Sequence, residues 1–325
     1  MVVLSLIEHA ILPGISCTKI NLCKEHKEWI KDWLDTLDTE IGNDIISSSN
    51  CVAGFLAECL VNGSPKTDWL GLMKDQLEED GVPLSYSEEF GKRLYKFNHW
   101  KQVTVHAIYG RWWIETNLGN PNPQWAKIID GLIQPNGWIY NPEVSPTNIR
   151  TRMQSELFMS FSMGCEILSD AKMIRDESKF VSPIISKPLT NYVSSEYFRC
   201  RALKTLGMKN QMVVGVEKIL PKCKTAPGFA DFSVADKIDD YMGVAKRSSR
   251  DLAIFSPVST VQALRLAEDC GIDTSTIGHW LEETKSHLEK NPLEIPSLRM
   301  RDLDAAFGEG RTIYEIIAAA HLMEL

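Results

Sequence analysis

The densest run of groups able to do chemistry lies between Asp231 and Asp251, where Asp236, Asp239 and Asp240 precede Lys246, Arg247 and Arg250. Asp236 and Asp240 stand four residues apart and would share a helix face, so carboxylates opposed by cations suit a metal-phosphate or another charged ligand. The same spacing also describes a solvated helix with i,i+3 and i,i+4 ion pairs followed by a polar loop. A second concentration is aromatic: five of the nine tryptophans, Trp100, Trp112, Trp113, Trp125 and Trp138, fall close together, with Arg111, His99 and His106 among them. Their first reading is as anchors of helix packing, and they also suit an aromatic-lined cavity for an apolar or cationic ligand, or a protein interface. The candidate catalytic residues are therefore Asp236, Asp239 and Asp240. The candidate binding residues are Lys246, Arg247, Arg250, Trp100, Arg111, Trp112 and Trp113.

Other chemistry finds no motif. The seven histidines make no H-E-x-x-H or H-x-H pair, and the eight cysteines make no C-x-x-C pair, so no metal site and no cofactor is assigned. Phosphate-binding glycine loops and the G-x-S-x-G nucleophile elbow are absent. Scattered cysteines in a chain of this length read as reduced, mostly buried small apolar residues. A net charge of -8 opposes a generic phosphate-binding surface, which disfavours nucleic-acid binding through Lys246, Arg247 and Arg250. The apolar start, Met1 to Leu12, is short and carries Glu8 and His9, and no run of eighteen apolar residues follows. These features lead us to expect a cytosolic protein without a membrane span.

The elements that would carry these residues read as helices. Trp29, Ile30, Trp33, Leu34 and Leu37 make one stripe over 26–37, and similar periodicity marks 51–61, a segment from 67, and 88–109. Further helices are expected at 124–133, from Thr147 or Asn148 to 168, and at 193–206, 209–220, 257–270, 274–290 and 311–324. Asn117-Leu-Gly-Asn-Pro-Asn-Pro123 breaks the pattern, which suggests an N-terminal helical subdomain over 1–116 and a C-terminal one over 124–325. In the second half, Pro with Ser or Thr starts a helix and Gly ends it, at Pro146 to Gly164, Pro188 to Gly207 and Ser256 to Gly271. The expected fold is all-α, with helical hairpins packed as an open solenoid or a closed α/α toroid.

Within the stretch Trp125-Ala-Lys-Ile-Ile-Asp-Gly-Leu-Ile-Gln134-Pro-Asn-Gly137-Trp138, an apolar helix ends in Gln and a Gly-aromatic turn follows. This resembles the hairpin element of the α/α toroids, the terpenoid cyclases and protein prenyltransferases. Ile219 to Phe229 is a degenerate echo that lacks the Gln. The resemblance implies a toroidal scaffold and, for catalysis, Asp-rich motifs or a zinc site. Asp236 to Asp240 matches neither the Asp-x-Asp-Asp nor the Asp-Asp-x-x-Asp spacing, and Asp269-Cys270 with His279 or His321 only approximates a zinc set. The function expected first is therefore a helical interaction or scaffold subunit working with a protein partner or as a homo-oligomer. The alternatives are a toroid enzyme acting through the Asp cluster beside an aromatic cavity, and a nucleic-acid-binding accessory protein.

Overall fold

Two kinds of helix follow from the hydrophobic pattern: those apolar on one stripe, which must lie on a surface, and those apolar all round, which must lie inside. The computed structural model describes residues 20–41, 48–74, 104–139, 151–174, 176–180, 184, 193–225, 227–230, 255–273, 279–293 and 305–325. Among them the fold is all-α: α1 (Lys24–Ile41), α2 (Ser48–Asn62), α3 (Trp69–Lys74), α4 (Thr104–Asn117), α5 (Gln124–Gly131), α6 (Thr151–Asp170), α7 (Val193–Thr205), α8 (Val213–Cys223), α9 (Pro257–Cys270), α10 (Trp280–Lys290) and α11 (Ala305–Glu324). A 3₁₀ turn at Lys209–Gln211 precedes α8.

The two kinds separate cleanly. In α1, Ile30, Trp33 and Leu37 are buried while Lys27, Glu28, Lys31 and Asp32 are exposed, and α5, α8 and α10 are similarly two-faced. By contrast, α2 is buried continuously from Cys51 to Cys59, α7 from Val193 to Cys200 and α11 from Ile313 to Leu322. The buried helices touch in sequence order, α2 on α4, α4 on α6, α6 on α7, α7 on α9 and α9 on α11, and α11 returns to pack on α2. The two-faced helices lie against this cycle: α5 on α4 and α6, α8 on α7 and α9, α1 on α2 and α11. The core therefore continues across the break at 117–123, since α4 packs on α5 and α6 and α2 packs on α11.

Two hairpins are braced by the same device. Gly63 and Gly119, both at φ +77°, end α2 and α4 in the left-handed conformation that glycine adopts without strain. From the preceding helix, Glu58 reaches over the turn and accepts from the backbone N–H of Thr67 at 3.0 Å and the indole Nε1 of Trp69 at 2.9 Å. Glu115 likewise accepts from Asn122 N at 3.2 Å and Trp125 Nε1 at 2.6 Å. Each carboxylate thus satisfies donors at the start of the following helix while lying nearly out of solvent, Glu58 and Glu115 each 7% exposed.

The Gln134 turn and its echo also share a geometry. Each closes one isolated antiparallel bridge, Ile133 with Ile139 and Lys224 with Phe229. Gln134 Nε2 donates to the carbonyl of Leu132 at 2.9 Å, and Gly137 lies at φ +83°. Trp138 then packs edge to face on Phe158 and Phe161 of α6, and Phe229 does so on Trp280 of α10. At the helix termini expected from sequence, Ser256 Oγ accepts from Ser259 N with Pro257 in the first turn, and Gly207 and Gly271 hold positive φ. Gly164 departs from expectation. It lies inside α6, where an added Cβ would come within 2.8 Å of Ile139 Cδ1, so it permits close approach instead of stopping the helix. Pro221 is also passed, since α8 continues to Cys223 and accommodates the proline in its last turn. No helix among the described residues is long and apolar enough to cross a membrane.

Candidate functional site

Polar residues inside otherwise apolar helices need partners, and following them leads to one end of the helix cycle. Four helices, α4, α6, α7 and α9, line a cleft of about 570 Å³ with side chains that come, Tyr197 apart, from their C-terminal halves. Trp112 comes from α4; Glu166, Ser169 and Asp170 from α6; Tyr197, Cys200, Arg201, Lys204 and Thr205 from α7; Arg265, Leu266 and Asp269 from α9. The partial negative charge of helix C-termini is therefore gathered here, an environment that favours cations.

Three resident cations answer that field, and each is held by a carboxylate. Arg201 Nε contacts Glu166 Oε1, Lys204 Nζ lies 2.7 Å from Asp269 Oδ1, and Arg265 Nη1 lies 2.9 Å from Glu268 Oε2. Glu166 also accepts from the Tyr109 hydroxyl at 2.9 Å, so a polar chain, Tyr109–Glu166–Arg201, crosses α4, α6 and α7. Burial pushes the Glu166 carboxyl well above the usual range, against the pull of the Tyr109 hydrogen bond. Asp170 differs from its neighbours. It is exposed in the last turn of α6 and joins no hydrogen bond or ion pair with another described residue. A carboxylate at a helix C-terminus is repelled by the dipole, so the group it best accommodates is a cation. Half-buried Trp112 is tilted against Tyr109 with centroids 5.3 Å apart, and Tyr197 offers a second aromatic surface to the cleft.

Among the candidate catalytic and binding residues, Trp112 is the one placed at this cleft. Arg111 is 6% exposed; its Nε donates to Glu115 Oε1 at 3.1 Å and its guanidinium carbon sits 5.0 Å from the centroid of the Trp125 ring. Trp113 faces the other way, into the core against Phe55. Arg111 and Trp113 are thus engaged in packing. Trp100, Asp236, Asp239, Asp240, Lys246, Arg247 and Arg250 lie outside the described residues. The approximate zinc set is not assembled: Asp269 lines the cleft, while the exposed His279 pairs with Glu282 instead. Among the described residues no group of three or more His, Cys, Asp or Glu is placed to hold a metal ion.

Glu166, Asp170, Tyr197 and Arg201 were not distinguished by motif. The available signal was the charge itself, since Glu166 interrupts the apolar run Phe158 to Leu168 and Arg201 follows a fully buried segment of α7. Compared with known proteins, the chain matches no family model, no curated protein and no solved structure.

Proposed function

We propose that this chain is an interaction subunit of α/α-toroid type whose cleft receives a basic side chain from a protein partner. The observation that carries this reading is the charge left over at the cleft. Arg201, Lys204 and Arg265 are each already matched by a carboxylate, whereas Asp170 stands without a partner among the described residues, where the negative ends of helices gather. Trp112 and Tyr197 supply aromatic surface of the kind that accommodates an alkylammonium or guanidinium group. The volume suits one or two side chains of a segment, not a folded domain. The cyclic contacts of the buried helices and the two bridge-closing turns support the toroid assignment.

The test is purification of the tagged chain from its native host, in parallel with an Asp170→Asn variant, followed by mass spectrometry of proteins and small molecules. A stoichiometric protein retained by the wild type and lost from the variant is the expected result. If the wild type emerges without a protein partner but with a bound metabolite, the interaction reading fails. That second outcome would favour an enzyme, for which the specific support is Glu166, a carboxyl raised by burial at the cleft wall. Nucleic-acid binding through Lys246, Arg247 and Arg250 draws no support from the cleft, whose lining cations are all engaged.

A further inference from the structure

Besides its charges, the contact between α7 and α9 holds two cysteines that the proposed binding does not use. Cys200, on α7, is 2% exposed and lines the cleft; Cys270, the last residue of α9, is half-buried. The two thiols hydrogen-bond one another across the helix pair. Their juxtaposition is fixed one turn away by the Lys204–Asp269 ion pair at 2.7 Å, which joins the residue four after Cys200 to the residue just before Cys270. Cys200 is further held by its thiol donating to the carbonyl of Met212 at 3.8 Å and by Arg199 Nη2 at 3.9 Å. Cys270 is therefore the more accessible of the two residues and Cys200 the more firmly held.

We propose that Cys270 and Cys200 form a peroxide-responsive dithiol, Cys270 reacting first and Cys200 resolving it to a disulfide that staples α7 to α9. The first step is attack of the Cys270 thiolate on a hydroperoxide: the S–O bond forms, the O–O bond breaks, and the departing alkoxide or hydroxide takes up a proton. The Cys200 sulfur then attacks the Cys270 sulfur. The S–S bond forms, the S–O bond breaks, and hydroxide leaves with the Cys200 proton as water, so the dithiol loses two electrons and one hydroperoxide is reduced. Closure needs the sulfurs to move from hydrogen-bonding contact to a bond of ~2.05 Å. The polarity of the pair suits this order. The contact with Cys200 lowers the Cys270 thiol below its ordinary range against the effects of burial and Asp269, while the same contact, with burial, raises Cys200.

Cys23 provides an internal comparison, because it is also half-buried but burial raises its thiol. With the full chain under native conditions, alkylation by iodoacetamide followed by peptide mass spectrometry should modify Cys270 ahead of Cys23. Treatment with dilute hydrogen peroxide should lower the thiols titrated in denaturant from eight to six and yield a Cys200–Cys270 cross-linked peptide. In Cys200→Ala the cross-link should be lost and Cys270 should be trapped by dimedone as the sulfenic acid. The wild-type alkylation and cross-link maps keep the proposal falsifiable should that variant fail to fold. Alkylation of Cys23 ahead of Cys270, or oxidation that consumes thiols without joining these two residues, would overturn it.

Discussion

Removing the Glu58 carboxylate should destabilise the protein in a way that depends on pH. Glu58 accepts from Lys66 N at 2.7 Å, Thr67 N at 3.0 Å, Thr67 Oγ1 at 2.7 Å and Trp69 Nε1 at 2.9 Å. Lys66 is exposed, so water replaces the carboxylate at its N–H, but Trp69 is 2% exposed and its indole N–H would be stranded. A stranded buried donor costs about 1–3 kcal/mol, and loss of the interaction at the start of α3 adds about 1 kcal/mol. Glu58→Ala should therefore lower the unfolding free energy by about 2–4 kcal/mol, read by urea denaturation followed by tryptophan fluorescence. Glu58→Gln keeps one acceptor but turns an amide donor toward other donors, and should cost about 1–2 kcal/mol.

The pH arm fixes the mechanism. Burial raises the Glu58 carboxyl, but the hydrogen bonds from Thr67, Lys66 and Trp69 outweigh it and hold the group below its ordinary range. A carboxyl depressed in the folded state contributes stability that is present above its unfolded pKa of about 4.3 and is lost as pH falls through the folded value. The gap between wild type and Glu58→Gln should be full at pH 7 and narrow below about pH 4.3. A gap that stays constant down to pH 3.5, or a Glu58→Ala cost under about 0.5 kcal/mol, would refute the bracing role.

Two further predictions concern neighbouring features of the core. Gly54 lets the Trp69 ring lie against α2, since a Cβ there would fall 2.2 Å from Trp69 Cη2; Gly54→Ala should cost about 1–3 kcal/mol and be partly relieved by Trp69→Leu in a double-mutant cycle. His26 is fully buried, with Nε2 2.8 Å from the Pro292 carbonyl, and burial holds its pKa below the ordinary value. Below about pH 6.5 the unfolded chain takes up a proton that the folded imidazole does not, so stability should fall between pH 7 and 5.5. Denaturation curves for His26→Gln should show a shallower fall, with His321, whose pKa burial also lowers, retaining the remainder.

The helices were legible because their pattern is local. The stripe of Trp29, Ile30, Trp33, Leu34 and Leu37 and the Ser256-Pro257 to Gly271 start and stop state their element without reference to the rest of the chain. Gly164 shows the limit, because a glycine needed for close approach to Ile139 carries the same letter as one that ends a helix. The Glu braces were present in the sequence as a recurring order, Glu58…Gly63…Pro65…Trp69 beside Glu115…Gly119…Pro121…Trp125, but its meaning required the turn to bring each indole back to its carboxylate. The cleft was not legible for a different reason. Its residues come from four helices spread over 112 to 269 and share no spacing, so only the packing of α4, α6, α7 and α9 makes them a site. Proximity in sequence also drew attention to Arg111 and Trp113 along with Trp112, although helical geometry sends neighbours to different faces.

The most direct test of the cleft's role is calorimetric titration with two short peptides matched in length, one rich in lysine and arginine and one rich in aspartate and glutamate, into wild type and Asp170→Asn at low and physiological salt. Binding is expected of the basic peptide alone, weakened by salt, and weakened a further five- to thirty-fold by Asp170→Asn, equivalent to about 1–2 kcal/mol. Binding of the acidic peptide, or of the basic peptide with unchanged affinity in Asp170→Asn, would contradict that role of the cleft.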